Sequence, residues 1–461
     1  LIKLHFYHTN DLHSHFDHWA SLVTCLNQLR QKHADDGDPY LVLDLGDHMD
    51  RFNPLTEGTM GKGNVTLLNE AGYDYITIGN NEGVTLTKDA LSAAYQDRSF
   101  KILLANLYDL NGERPEWCHP YTIYNINGVK VGMTAVTAPF VPFYSRLGWD
   151  IRDPFTELKE IMKILRQEAD VIVLMSHAGL PFDKRAAEEI EGIDVILGAH
   201  THHLLENGLR VGPVLIAQTG KFGHYLGHVA ISYDEVSQKV IQKEASIIPL
   251  DQEPDQDTDE LLSHITRDGA TQLQKVVATL DYQMHTEWFG DSELPLLMAE
   301  ALREWCQGDI GMVNAGVILE DLEAGEVTKA DIHRICPHPI NPCKVPLKGE
   351  QIKAMVEKGI AKDFQTYELK GFGFRGKVLG KLVFSGLTYR LSDENDVCIK
   401  DIKINGELID MGKIYSVATT DMFTFGKLLT EVKLAKQKDY YLPEMLRDLL
   451  AWKLKEDRHS H

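Results

Sequence analysis

Along the first half of the chain, short apolar runs stop at residues that bind metals. IKLHFYHTNDLH ends in Asp11 and His13, YLVLDLGD in Asp47, YITIGN in Asn80, VIVLMSH in His177, and DVILGAHTH in His200 and His202. Imidazole nitrogens beside carboxylate and carboxamide oxygens form a borderline N/O donor set, suited to Mn, Zn, Fe, Co or Ni rather than an all-oxygen calcium cage. Each fragment alone is weak. Asp-x-His recurs by chance, a strand-end histidine is more often a hydrogen-bond partner, and an asparagine there often only shapes a turn. Repetition in one structural context is the signal, because packing or turn-forming residues have no reason to recur at successive strand ends. These donors are too many for one tetrahedral ion and suit two divalent ions. Two ions need a bridging oxygen donor, and Asp47, central in sequence order, is the candidate.

For such residues to meet, the runs must lie side by side. Through residue 250 apolar runs alternate with amphipathic stretches, which predicts an α/β arrangement whose strand ends converge on one crevice. The intervening helices are there to pack: DHWASLVTCLNQLR puts Leu22, Cys25, Leu26 and Leu29 on one face, and DPFTELKEIMKILRQ does the same with Leu158, Ile161, Met162 and Leu165. At 461 residues the chain exceeds one core, so two domains are expected. The division expected is a catalytic domain over 1–250, an acidic, proline-containing connection and helix over 251–280 (PLDQEPDQDTDELLSHI at its start), and a second domain over 281–461. The second domain carries helices such as SELPLLMAEALREW and strands such as KLVFSGLTYRL and YSVATT.

Composition narrows the partners. A net charge of −21 argues against a nucleic-acid polymer or an anionic membrane, while a bound cation can still draw in a small anion. No apolar run approaches the roughly 18 residues of a membrane span. Cys25, Cys118, Cys306, Cys336, Cys343 and Cys398 are sparse and scattered, unlike a disulfide framework, which together with the lack of a visible leader gives cytoplasmic as the expected location. Export with a leader already removed is the alternative. CPHPINPC is expected to hold separate thiols, although a small disulfide loop is open to it.

In this order, TNDLH, GDHMD, GNNE, SHAG and GAHTHH resemble the dinuclear calcineurin-like metallophosphoesterases. With NAG at 314–316, FSGLTYRL and YSVATTDMF, the whole chain is similar to the 5′-nucleotidase and 2′,3′-cyclic phosphodiesterase family. The resemblance implies a four-layer αββα catalytic domain followed by a smaller α/β domain that closes over substrate. It implies one metal on Asp11, His13, Asp47 and His202, a second on Asp47, Asn80, His177 and His200, and water activated by both for in-line attack on phosphorus. The expected substrate is a phosphomonoester, nucleotide or nucleotide-derived diphosphate.

The chain departs from that pattern at instructive places. The family's Gly-Asn-His-Glu-Phe-Asp carries a catalytic His-Asp dyad, and here Asn81 and Val84 stand at those positions. Asn81 is expected either to donate a neutral hydrogen bond to the phosphoryl oxygens or to shape the turn. Leu319 stands where the family has a substrate-binding arginine. Phe423 and Phe425 are the candidates for one wall of a base-stacking clamp, with PHPINP matching the other wall loosely, and Arg375 in an aromatic-rich loop is a replacement anion contact. A non-catalytic or weakly active metal- and nucleotide-binding protein with a degenerate site is the alternative reading.

Overall fold

The computed structural model describes residues 1–391 and 399–456, and Cys398 lies outside them. It divides into two units, Leu1–Gly269 and Ala270–His461.

Two sheets form the middle of the first unit. One runs in the order Lys239–Pro249, Tyr225–Asp234, Ile2–Thr9, Tyr40–Asp44, Tyr75–Ile76, Lys101–Leu103, Cys118–His119. The other runs Leu209–Val211, Val214–Ala217, Val195–Gly198, Val171–His177, Val129–Thr137, Tyr121–Ile126. Their facing residues interleave in one core: Leu4, Phe6, Leu41, Leu43 and Val229 of the first pack with Met133, Val173, Met175, Val195 and Leu215 of the second. The opposite face of the second sheet, including Ile172, Leu174 and Ile196, is covered by helices Pro154–Glu168 and Leu180–Glu189. Burial on both faces explains why Val171–His177 reads as a continuous apolar run and not as an alternating one. Helix Pro154–Glu168 starts where its sequence says it should: the Asp153 carboxylate accepts from the Thr156 amide, Pro154 fills the first turn, and Leu158, Ile161, Met162 and Leu165 are buried.

Strand direction puts the chemistry at one edge in each sheet. Ile2–Thr9, Tyr40–Asp44 and Tyr75–Ile76 are parallel, with Thr9 opposite Asp44 and Asp44 opposite Ile76, so the loops leading to Asp11, Asp47 and Asn80 leave from the same side. In the second sheet Val171–His177 is parallel to Val195–Gly198 with Ser176 opposite Gly198, which sends out His177 and His200 together.

The acidic connection is tied to the first unit: Ser21 Oγ and Thr24 Oγ1 donate to the carbonyls of Gln252 and Glu253 at 2.7 and 2.8 Å. Helix Gln256–Gln272 follows. A methyl group on Gly58 would lie 2.0 Å from the Gly269 carbonyl oxygen, so the backbones touch there.

The second unit holds a sheet ordered Leu382–Ser385, Ile310–Asn314, Ile414–Thr420, Pro342–Lys348, Asp439–Tyr440, with helices Glu293–Trp305, Gly349–Ile360 and Leu446–Glu456. KLVFSGLTYRL is broken into Leu382–Ser385 and Leu387–Leu391 by Gly386, whose φ of +78° turns the chain. Cys25, Cys118, Cys306, Cys336 and Cys343 are buried and form no disulfide. Among the described residues no helix is long and apolar enough to cross a membrane.

Candidate metal centre

The strand-end residues come together in two trios. Asp11, His13 and His202 form one, Asp47, His177 and His200 the other, and within each trio the ligand atoms all lie within 4.8 Å of one another. Both aspartates reach across the trios: Asp47 Oδ2 is 3.7 Å from His13 Nε2 and 3.4 Å from His177 Nε2. Asp11 Oδ1 lies 3.3 Å from His202 Nε2 and 3.9 Å from both His13 Nε2 and His177 Nε2. Asp11, Asp47 and His177 are essentially sealed from solvent.

The backbone is shaped to aim these groups. Asp11, His13, Asp47, His200 and His202 all adopt left-handed conformations, with φ between 50° and 72°. Non-glycine residues are held there only where surrounding bonds over-determine the loop. Those bonds are present: the Asp11, His13 and Ser14 amides donate to the carbonyls of Gly46, Asp47 and His48 at 3.1, 2.8 and 2.9 Å. The His200 amide donates to both Asp11 carboxylate oxygens at 3.1 and 3.0 Å. Gly79 has no room for a side chain, because a Cβ would sit 2.0 Å from Asp47 Oδ1.

Whether this chain's donors suit cations is answered by their unsatisfied atoms. Among the described residues, His177 Nε2 and Asn80 Oδ1 are buried without a hydrogen-bond partner. His177 Nδ1 lies 2.7 Å from the Leu45 carbonyl, which requires a hydrogen on Nδ1 and leaves Nε2 as the ring atom that faces the trio. Asn80 Nδ2 donates to Asn81 Oδ1 at 3.4 Å, which turns the Asn80 oxygen the other way. The field agrees. Burial opposes charge on His177, yet Asp47 and Asp11 outweigh it and raise the ring to about 10. His200, buried beside His177, falls to about 4 and so offers a neutral ring. Buried Asp47 is nonetheless held far below the usual carboxylate range by His177 and His13. The pocket therefore favours positive charge between its carboxylates, and the N/O donor set fits divalent transition metals.

Two acids in this centre carry roles that spacing does not reveal. Glu82 accepts from the amides of Asp47, Met49 and Gly79 at 3.0, 2.8 and 2.8 Å, joining two ligand loops; burial and the Asp47 charge raise it to about 7. Asp50 accepts from the Phe52 amide through Oδ1 and lies 3.3 Å from His13 Nδ1 through Oδ2. The only sequence trace of either is a further acid shortly after a ligand, in GNNE and GDHMD. Asn81 is buried, with Nδ2 at 2.8 Å from His13 Nδ1 and 3.4 Å from Asp50 Oδ2.

In the second unit the two phenylalanines part company. Phe423 is fully buried in the short helical turn Asp421–Thr424, so its expected place as a stacking wall is corrected: it is a core residue. Phe425 lies beyond the turn, its ring parallel to that of Phe372 within 1° at a centroid distance of 6.2 Å. Phe372 is 46% exposed and escaped the sequence reading as a wall. Its loop is pinned from below by His338, which accepts from the Arg375 amide at Nδ1, lies 2.9 Å from the Val317 carbonyl at Nε2, and stacks on Phe374. The Arg375 guanidinium donates to the Phe374 carbonyl at 3.2 Å. Leu319 is partly buried, its amide bonded to the Ile335 carbonyl.

Two interleaved sheets with metal-competent loops at their strand ends define a metal-dependent phosphoester hydrolase. The chain belongs to the calcineurin-like phosphoesterases, matching that family over residues 4–204 and the 5′-nucleotidase C-terminal domain over 271–429. It is 46% identical over 458 residues to the uncharacterized metallophosphoesterase YunD of Bacillus subtilis (strain 168), covering 98% of this chain and 99% of that one. A trifunctional nucleotide phosphoesterase of the same organism, YfkN, is 26% identical over 77% of this chain, which spans 27% of that protein's length. The solved structure of Haemophilus influenzae NAD nucleotidase shares the fold with a TM-score of 0.70 at 17% identity, over 99% of this chain and 96% of its own.

Proposed function

We propose that the chain hydrolyses phosphate esters of nucleotides, or of nucleotide-derived diphosphates, at a centre for two divalent cations. The observation that carries this reading is Asp47 Oδ2, within 3.7 Å of a ligand nitrogen in each trio, which is where a bridging carboxylate must stand. Cations bound there supply Lewis acidity toward a phosphoryl oxygen and lower the pKa of water toward neutrality. The residues themselves do the positioning. Asp11, His13 and His202 gather at one position and Asp47, His177 and His200 at the other, the family resemblance adds the buried Asn80 Oδ1 to the second, and Glu82 keeps the Asp47 and Gly79 loops together.

The names of the relatives support a nucleotide as substrate, and the parallel Phe372 and Phe425 rings offer the flat apolar surface that a base stacks on. Buried cysteines without disulfides suit a reducing compartment, which favours a cytoplasmic protein. A turnover screen of the manganese-loaded chain against nucleoside monophosphates, cyclic nucleotides and dinucleotides tests the reading. Hydrolysis of at least one class, abolished by chelation, is expected. Metal and nucleotide binding without turnover on any class would establish the degenerate-site alternative.

A further inference from the structure

We infer that Asp50 and Asn81 jointly set the ring orientation and tautomer of His13, so that Asn81 serves a candidate metal ligand. The inference rests on the metal-centre reading above. His13 presents its two nitrogens to opposite surroundings. Nε2 faces the donors, 3.2 Å from His202 Nε2 and 3.7 Å from Asp47 Oδ2. Nδ1 faces away from them, 2.8 Å from Asn81 Nδ2 and 3.3 Å from Asp50 Oδ2. Both partners are nearly buried, Asn81 at 7% exposure and Asp50 at 1%.

A neutral imidazole has one hydrogen, and for Nε2 to offer its lone pair to a cation that hydrogen must sit on Nδ1 and find an acceptor. Asp50 Oδ2 is such an acceptor. It is held in place through the Phe52 amide on its other oxygen, at 3.0 Å, and through its own amide, which donates to Ser14 Oγ at 2.8 Å. Asn81 can serve either tautomer: Nδ2 donates when Nδ1 is bare, and a half-turn of the amide, which gives up the 3.4 Å bond from Asn80 Nδ2, presents its oxygen when Nδ1 carries the hydrogen. Its backbone is fixed meanwhile by the bond from its amide to Asp47 Oδ1 at 2.8 Å. In either orientation one end of the Asn81 carboxamide lies against the ring of a candidate ligand, where Nδ2 stands 2.8 Å from His13 Nδ1.

The test uses the 461-residue chain stripped with a chelator and titrated with Mn²⁺ by calorimetry, with the unfolding temperature of each stripped variant as a check on folding. Asp50→Asn and Asn81→Ala should each weaken one of two Mn²⁺ sites by about 10- to 100-fold, the usual range for a lost partner of a ligating histidine, and leave the other unchanged. The double exchange Asp50→Asn with Asn81→Asp keeps one carboxylate and one carboxamide on Nδ1 and should restore most of the affinity. In the zinc-loaded protein, nitrogen NMR should find the His13 hydrogen on Nδ1. Unchanged Mn²⁺ affinity in both single variants, with turnover lowered in Asn81→Ala, would overturn the inference and return Asn81 to the substrate. A wild-type chain that binds no Mn²⁺ would instead overturn the metal-centre reading beneath it.

Discussion

Gly79→Ala presses a single methyl group against Asp47. Gly79 has φ of −94°, which any L residue adopts, so alanine adds no backbone strain. The new methyl carbon would lie 2.0 Å from Asp47 Oδ1, 2.5 Å from the Asp47 amide nitrogen and 2.7 Å from its carboxyl carbon. Ordinary contact begins at 3.4 Å, so the carboxylate must retreat by about 1.4 Å. It has little freedom to do so, since Glu82 holds the Asp47 amide at 3.0 Å and the Asn81 amide holds Oδ1 at 2.8 Å. Misplacing a reacting group by about 1 Å costs on the order of 100-fold in rate, or about 2.7 kcal/mol of barrier. Gly79→Ala should therefore lower turnover of p-nitrophenyl phosphate with Mn²⁺ by about 100-fold or more and reduce the metal retained after dialysis. Gly290→Ala is the control, because its methyl meets only the Glu287 side chain, at 3.5 Å. A Gly79→Ala protein with wild-type turnover and metal content would refute the assignment of Asp47 as the shared ligand.

Other expectations follow from the same geometry. His177→Ala should remove hydrolysis and one bound ion while the strand that carries it still folds, measured by turnover, elemental analysis and circular dichroism; full activity would contradict the ligand role. Phe372→Ala should raise KM for a nucleotide by roughly tenfold, from the 1–3 kcal/mol of a base stack, and leave KM for p-nitrophenyl phosphate unaltered; equal KM values for the nucleotide would remove Phe372 from the site. Burial raises Asp421 from an ordinary 3.8 to about 8, so the folded state holds its proton; that contribution to stability is complete below about pH 4 and is lost as pH rises toward 8. Asp421→Asn keeps the acceptor for the Asn341 amide at 3.1 Å, and its unfolding temperature relative to wild type should rise between about pH 5 and pH 8. A constant difference across that range would show that the carboxyl does not titrate on unfolding.

The donors were legible because each one closes an apolar run, and parallel strands in α/β units must end on one side. Asp11, His13, Asp47, Asn80, His177, His200 and His202 needed only that rule and ligand chemistry to be singled out. What surrounds them was hidden because it depends on pairings between loops. Asn81 meets His13 across 68 positions and Glu82 meets the Asp47 amide across 35, and no periodicity encodes such contacts. Phe423 and Phe425 would share a face in a strand, but the helical turn Asp421–Thr424 breaks that period, burying the first and leaving the second against Phe372. Phe372 itself reads as one more aromatic in a glycine-rich loop until that stacking is seen. The acidic stretch after residue 249 reads as a connection because its composition is solvating, and its attachment was hidden because the side chains of Ser21 and Thr24 fasten it through backbone carbonyls, bonds that place no demand on the identity of the acceptor residues.

The most direct test of the account is to strip the chain of metal, return Mn²⁺ stepwise, and follow bound ions and hydrolysis of a nucleotide substrate in the same samples. The account predicts two ions per chain and hydrolysis that rises with the filling of both sites. Undiminished hydrolysis by a chain that elemental analysis shows to be free of transition metals would contradict it.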